Sequence, residues 1–270
     1  MTTGSTSIDL TNEQKELRLQ NERLKIEFSE LFALKNEMLS HEAPLLTSLY
    51  LELIGRKLYE VYCLSVELSK LKQRMTLLQA YVNRNQIPEI TVVDKKIETQ
   101  FAEYQKKIED EAQRLAAAKE YLKGSFLSAE ETKELKGIYY TIVKRLHPDI
   151  NADLTEDQKE LFVKAQAAYD LLDINTLRII LISLDIGKKE DSEEYNLAEK
   201  VKKLAENVSV LTNQIDALNR EFPYVLREKL SDEAWIKAEQ EDADKQLETY
   251  KTEIEKYKQY VILLEEWKPA

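Results

Sequence analysis

The chain has 270 residues with only five glycines and five prolines, so tight turns are few, and a charged fraction of 33% rich in Glu and Lys favours helix over sheet. A net charge of −11 argues against nucleic acid and against an anionic membrane surface, since both demand clustered Lys and Arg. There is no apolar run of about 20 residues to span a bilayer, no secretion signal at the start, and one cysteine that has no internal partner, so a reducing cytoplasm is the expected compartment.

Residues 1–10 read as a disordered tail, and Thr11 with Gln14 has the spacing of a capping box. Leu17, Leu24, Leu31 and Met38 then recur every seven residues, with Phe28 between them. His41 and Pro44 are expected to interrupt this helix, with His41 facing solvent at the break. A second helix carries Leu64, Leu68, Leu71, Met75, Leu78 and Val82 at 4-3 spacing and ends at "NRNQIPE", where the proline removes a donor. Cys63 in this helix reads as a small buried hydrophobe. A third helix is predicted from about Val93 to Lys123, with Ile97, Phe101, Tyr104 and Ile108 on one stripe.

From 125 to 187 the heptads stop. Ser128 with Glu131 is a second capping box, opening a helix that runs to Leu146 with Leu135, Ile138, Ile142 and Leu146 on its apolar face. Lys133, Lys136, Tyr140 and Lys144 share the opposite face, with Arg145 beside them. His147-Pro148-Asp149 follows directly, and a further helix from near Thr155 buries Phe162, Ala165, Tyr169 and Leu172. The two helices are predicted to form a small hairpin whose exposed tip holds the tripeptide. Beyond it, Leu197, Val201, Leu204, Val208, Leu211, Ile215, Leu218 and Phe222 keep 4-3 spacing. Leu247, Tyr250, Ile254, Tyr257, Val261 and Leu264 resume it after a break near Pro223. Sustained apolar heptads with charged flanks are the pattern of a coiled-coil seam.

The expected fold is therefore all-α: N-terminal coiled-coil helices over 11–124, a small helical domain over 125–187, and a C-terminal coiled-coil hairpin over 188–270. Helices of similar length on either side of each break favour antiparallel pairing, within one chain or as a homodimer.

Taken alone, His-Pro-Asp is compatible with a plain helix stop, since His suits that end of the dipole and Pro ends the helix. In context, "ELKGIYYTIVKRLHPDIN" followed by "ELFVKAQAAYDLLDINTLR" resembles the J-domain family, the co-chaperones of DnaK-type chaperone ATPases. The match lies at Leu135, Tyr139, Ile142, the tripeptide, Asn151, Phe162, Ala168, Tyr169, Leu172 and Arg178, over about 60 residues of the chain. The sequence departs from the family in several respects. Only Leu122-Lys123-Gly124 remains of the Tyr-x-x-Leu-Gly that ends the family's first helix, and Tyr140 and Thr141 stand where basic residues are usual. Glycine-rich and zinc modules are absent.

The resemblance implies a minimal J-protein that triggers ATP hydrolysis in a DnaK-type partner and does no chemistry itself. His147, Pro148, Asp149, Lys133, Lys136, Tyr140, Lys144 and Arg145 would contact the chaperone, over a core of Leu135, Tyr139, Ile142, Phe162, Ala165, Tyr169 and Leu172. A positive face suits an acidic groove, Pro148 stiffens the loop, and Asp149 offers an acceptor to an arginine. The coiled coils would select a client or scaffold partner. The alternative is a coiled-coil scaffold whose J-like segment no longer stimulates a chaperone. With two histidines, one cysteine and no glycine-rich phosphate loop, neither an enzyme nor a metal or cofactor site is expected.

Overall fold

A computed structural model describes residues 12–124, 126–186 and 197–269. Thr11, and with it the first expected capping box, lies outside them. The described residues are helical throughout their regular structure, with no strand. Among the described residues no helix is long and apolar enough to cross a membrane. The chain groups into two compact units, each built from separated stretches: Met1–Pro44 with Ser125–Tyr224, and Leu45–Gly124 with Val225–Ala270.

In the first unit, α1 (Asn12–Glu37) packs beside α8 (Leu197–Asn219) and on α5 (Ala129–Leu146), which forms a hairpin with α6 (Glu156–Asp170) covered by α7 (Ile174–Ile186). Local chemistry sets the ends of the hairpin helices. Ser128 Oγ accepts from the Glu131 amide while the Glu131 carboxylate accepts from the Ser128 amide, and Thr155 with Gln158 does the same for α6. The α6 helix ends at Asp170, two residues short of the end of its apolar stripe. Leu172 lies past its end at φ 58°, where the Asp173 amide reaches back to the Ala168 carbonyl (2.8 Å) and the Leu172 amide to Tyr169 (3.0 Å). This is a Schellman ending with leucine in a place that favours glycine. Leu172 still rests against the core, from outside the helix.

The α1–α8 pair is parallel, not antiparallel. Leu24, Phe28 and Leu31 meet Leu204, Val208 and Leu211, and further along both helices Lys35 Nζ donates to Gln214 (2.8 Å). In the second unit, α3 (Arg56–Val82) pairs antiparallel with α4 (Ile90–Lys123), placing Leu78 on Val93 and Ile97, with Leu51 just ahead of α3 against Leu115 and Ala118. On its other side α3 runs parallel to α9 (Glu233–Glu265). Val61 lies on Ala243 and Leu247, and Leu78 on Val261. Arg74 ties the three together, bonding Asp94 of α4 and Glu265 of α9. The 4-3 stripes of α8 and α9 each have a partner inside their own unit. Their stripes are occupied by α1 and α3, and the stretch between them makes two short 3-10 turns at Tyr224–Leu226 and Lys229–Ser231.

Pro44 does not break the chain out of helix. The backbone widens into a π turn over Met38–Glu42, closed by the Ala43 amide on the Met38 carbonyl, and continues as α2 (Ala43–Tyr50). The wider turn accommodates a proline that would clash in a regular one. Cys63 is half-buried on α3 and not fully enclosed.

Candidate functional site

The hairpin core forms from one face of each helix. Leu135, Tyr139, Ile142, Phe162, Ala165 and Tyr169 are all buried, together with Ile138, Val143, Leu146, Leu177 and Ile180. The Tyr139 and Tyr169 rings stack with centroids 4.0 Å apart at 15°. Antiparallel packing at that end brings Phe162 beside the loop at the other, where the tripeptide lies. Arg178 of α7 holds α5 through two bonds to Glu134, 2.7 and 2.8 Å long.

The tripeptide loop is tied to itself. His147 takes the extended conformation that a following proline imposes, at φ −70°, ψ 127°. Its carbonyl accepts from the Ile150 and Asn151 amides, and the Asn151 side chain bonds back to the Lys144 carbonyl at 3.1 Å. The Asp149 amide donates to His147 Nδ1 (3.1 Å), which suits the neutral ring. Pro148 and Asp149 are exposed.

His147 is not. Only 8% of it reaches solvent, which corrects the expectation of an exposed tip carrying all three residues. Its ring sits among Phe28 and Phe32 of α1 and Phe162 of α6, at centroid distances of 4.8, 4.3 and 5.1 Å, all edge to face. Burial pushes its pKa down to about 4, against a smaller upward pull from Asp149. Ile150, next to the tripeptide, is buried with Phe28 and the α8 leucines.

The same helix lies along the lysine face of α5. Lys136 Nζ is 2.9 Å from Glu37, and Lys144 Nζ is 4.0 Å from Glu22. Tyr140 is half-buried, its pKa raised by burial and by the charge of Glu30. Arg145 is half-buried, whereas Lys133 is exposed. The basic face expected to be open is thus partly engaged by glutamates of α1.

Glu37 is the centre of a small polar cluster. Its carboxylate accepts from Tyr169 Oη (2.5 Å) and from Lys136, and faces His41 Nδ1 at 3.1 Å. Burial alone would raise its pKa, but the bonds from His41, Tyr169 and Lys136 outweigh that and hold it at about 2. His41, far from lying in solvent, turns its other ring nitrogen to the Tyr169 carbonyl at 3.0 Å. Asn36 donates to Tyr139 Oη (2.5 Å) and Ser40 to Asp170 (2.6 Å).

Phe32, Asn36, Glu37 and His41 were not candidates from the sequence, although a signal exists. Phe32 sits beside the Leu24, Phe28, Leu31 seam and widens it, which a helix with a single partner does not need. Among the described residues no three His, Cys, Asp or Glu side chains converge as metal ligands. Neither a family model, nor a curated protein, nor a solved structure matches this chain.

Proposed function

We propose that the protein is a J-domain-type co-chaperone. Its α5–loop–α6 hairpin docks on a DnaK-type chaperone ATPase through Pro148, Asp149 and the lysine face of α5, and stimulates ATP hydrolysis by that partner. The helices outside the hairpin select a client or partner protein. The observation that supports this most is a rigid, self-bonded turn that presents Pro148 and Asp149 at the end of a stacked-tyrosine hairpin, with Lys133 and Lys136 on the exposed side of α5. A fixed acceptor beside a positive face is suited to a partner with an arginine and an acidic groove. The chain's own contribution is binding and orientation; the bond broken is the chaperone's ATP.

The test is single-turnover ATP hydrolysis by a purified DnaK-type chaperone, with the wild type and Asp149→Asn side by side. Stimulation by the wild type that the variant lacks is the expected result. Equal stimulation by both would remove the tripeptide from the mechanism.

A second reading is favoured by a specific observation: the buried His147 and the glutamates facing Lys136 and Lys144. On that reading the hairpin is a structural block in a helical scaffold, and neither protein raises hydrolysis above the chaperone alone.

A further inference from the structure

We propose that α1 is an autoinhibitory cover: it occupies the face of the hairpin that a chaperone would use, and the protein engages its partner only when α1 lifts from α5. This rests on the co-chaperone reading and adds a control to it. Three independent features of the α1–hairpin seam support it.

The first is placement. Phe28 and Phe32 of α1 close over the tripeptide histidine, with Phe162 of α6 on its other side. The second is charge. Glu37 binds Lys136, Glu30 acts on Tyr140, and Glu22 faces Lys144, so acidic residues spaced along α1 follow the basic face of α5 from Lys136 to Lys144. An acidic partner surface and α1 would compete for the same lysines. The third is reversibility at the loop end of the seam. The Lys144–Glu22 contact is 4.0 Å long with side-chain exposures of 35% and 56%, so the polar contact nearest the tripeptide is open to water and easily exchanged. The hairpin keeps its own apolar core of Leu135, Tyr139, Ile142, Ala165 and Tyr169, which parting the Phe32–His147 contact does not dismantle.

The competition has a quantitative form. When the binding-competent form is a minor population, apparent affinity falls by that fraction, and loosening the cover restores it. Two variants loosen it differently: Glu22→Gln/Glu37→Gln removes charge from the seam, and Phe32→Ala trims the ring over His147. Each full-length protein is measured for hydrogen exchange of the His147, Asp149, Ile150 and Asn151 amides and for stimulation of a DnaK-type chaperone at subsaturating concentration. The expected result is faster exchange in that loop together with stimulation raised about tenfold over the wild type. If Phe32→Ala fails to fold, the charge variant carries the test. Faster exchange with stimulation unchanged from an active wild type overturns the cover and leaves the co-chaperone reading standing. Faster exchange with wild type and variants all at the level of the chaperone alone overturns that reading and the cover with it. Exchange unchanged in both variants also overturns the cover, because α1 would then not be the element that seals the loop.

Discussion

The His147 ring stands edge-on to the Phe32 ring, 4.3 Å between centroids, so the tripeptide histidine is at once a candidate contact residue and a piece of the core. His147→Gln is therefore not a silent surface change. Losing ring packing against three phenylalanines and burying an amide in their place should cost about 1–3 kcal/mol. Asp149→Asn, at an exposed position, should stay within about 0.5 kcal/mol of the wild type. Urea denaturation of both variants checks this; equal midpoints for wild type and His147→Gln would contradict the burial of the ring.

Stability should also fall in acid, in two separable windows. The His147 pKa is about 4 in the folded protein against 6.5 when free. Between those values the unfolded chain binds a proton that the folded chain does not, so stability drops as pH falls from about 6.5 to 4. Glu37 acts lower down. Its folded pKa of about 2 against 4.5 means its contribution is present above 4.5 and lost as pH falls towards 2. Denaturation midpoints across pH should flatten in the upper window for His147→Gln and in the lower one for Glu37→Gln. A wild-type curve flat from pH 6.5 to 4 would contradict the first assignment.

Phe162 touches both the hairpin core and the His147 ring. Phe162→Ala should lower stability by about 3–5 kcal/mol, measured by thermal or urea unfolding of the full chain. An unchanged transition would mean that α6 does not pack as described.

Truncation before α8 should expose apolar surface instead of releasing a tidy fragment. Without α8 and α9, the stripes containing Phe28 on α1 and Val61 and Leu78 on α3 lose their partners. A chain ending at residue 196 should bind a hydrophobic dye such as ANS strongly and melt earlier than the full protein. Dye binding no higher than that of the intact chain would argue that other surfaces cover those stripes.

Helix existence was legible because it follows from local rules. Ser128 with Glu131 marks the start of α5, and the proline at 148 marks its end. Heptad stripes on α1, α3, α8 and α9 were likewise plain in the sequence. Their partners were not. A 4-3 stripe says that a face is buried without saying against which other stripe, and similar lengths suggested neighbours in sequence. The pairs that distinguish registers are dispersed charges such as Lys57 with Asp244 and Lys258 with Glu67, which no local pattern singles out. The site was legible as a loop but not as an environment. A polar residue before a proline reads as exposed, and only the arrival of Phe28 and Phe32 from over a hundred residues away buries His147. For His41 the error has the same origin, since its partner Tyr169 is 128 positions distant.

The parallel α1–α8 pairing has a consequence for how the chain is made. Lys35 and Gln214 are 179 residues apart in sequence, and Lys57 and Asp244 are 187 apart. At a synthesis rate of about 5–20 residues per second, α1 and α3 leave the ribosome on the order of 10 to 40 s before the helices that cover their stripes exist. Contacts this distant also raise contact order and slow the folding of a helical protein that would otherwise be fast. The nascent chain thus presents unpaired apolar stripes for far longer than helix formation itself requires, and that interval is when it is most open to self-association.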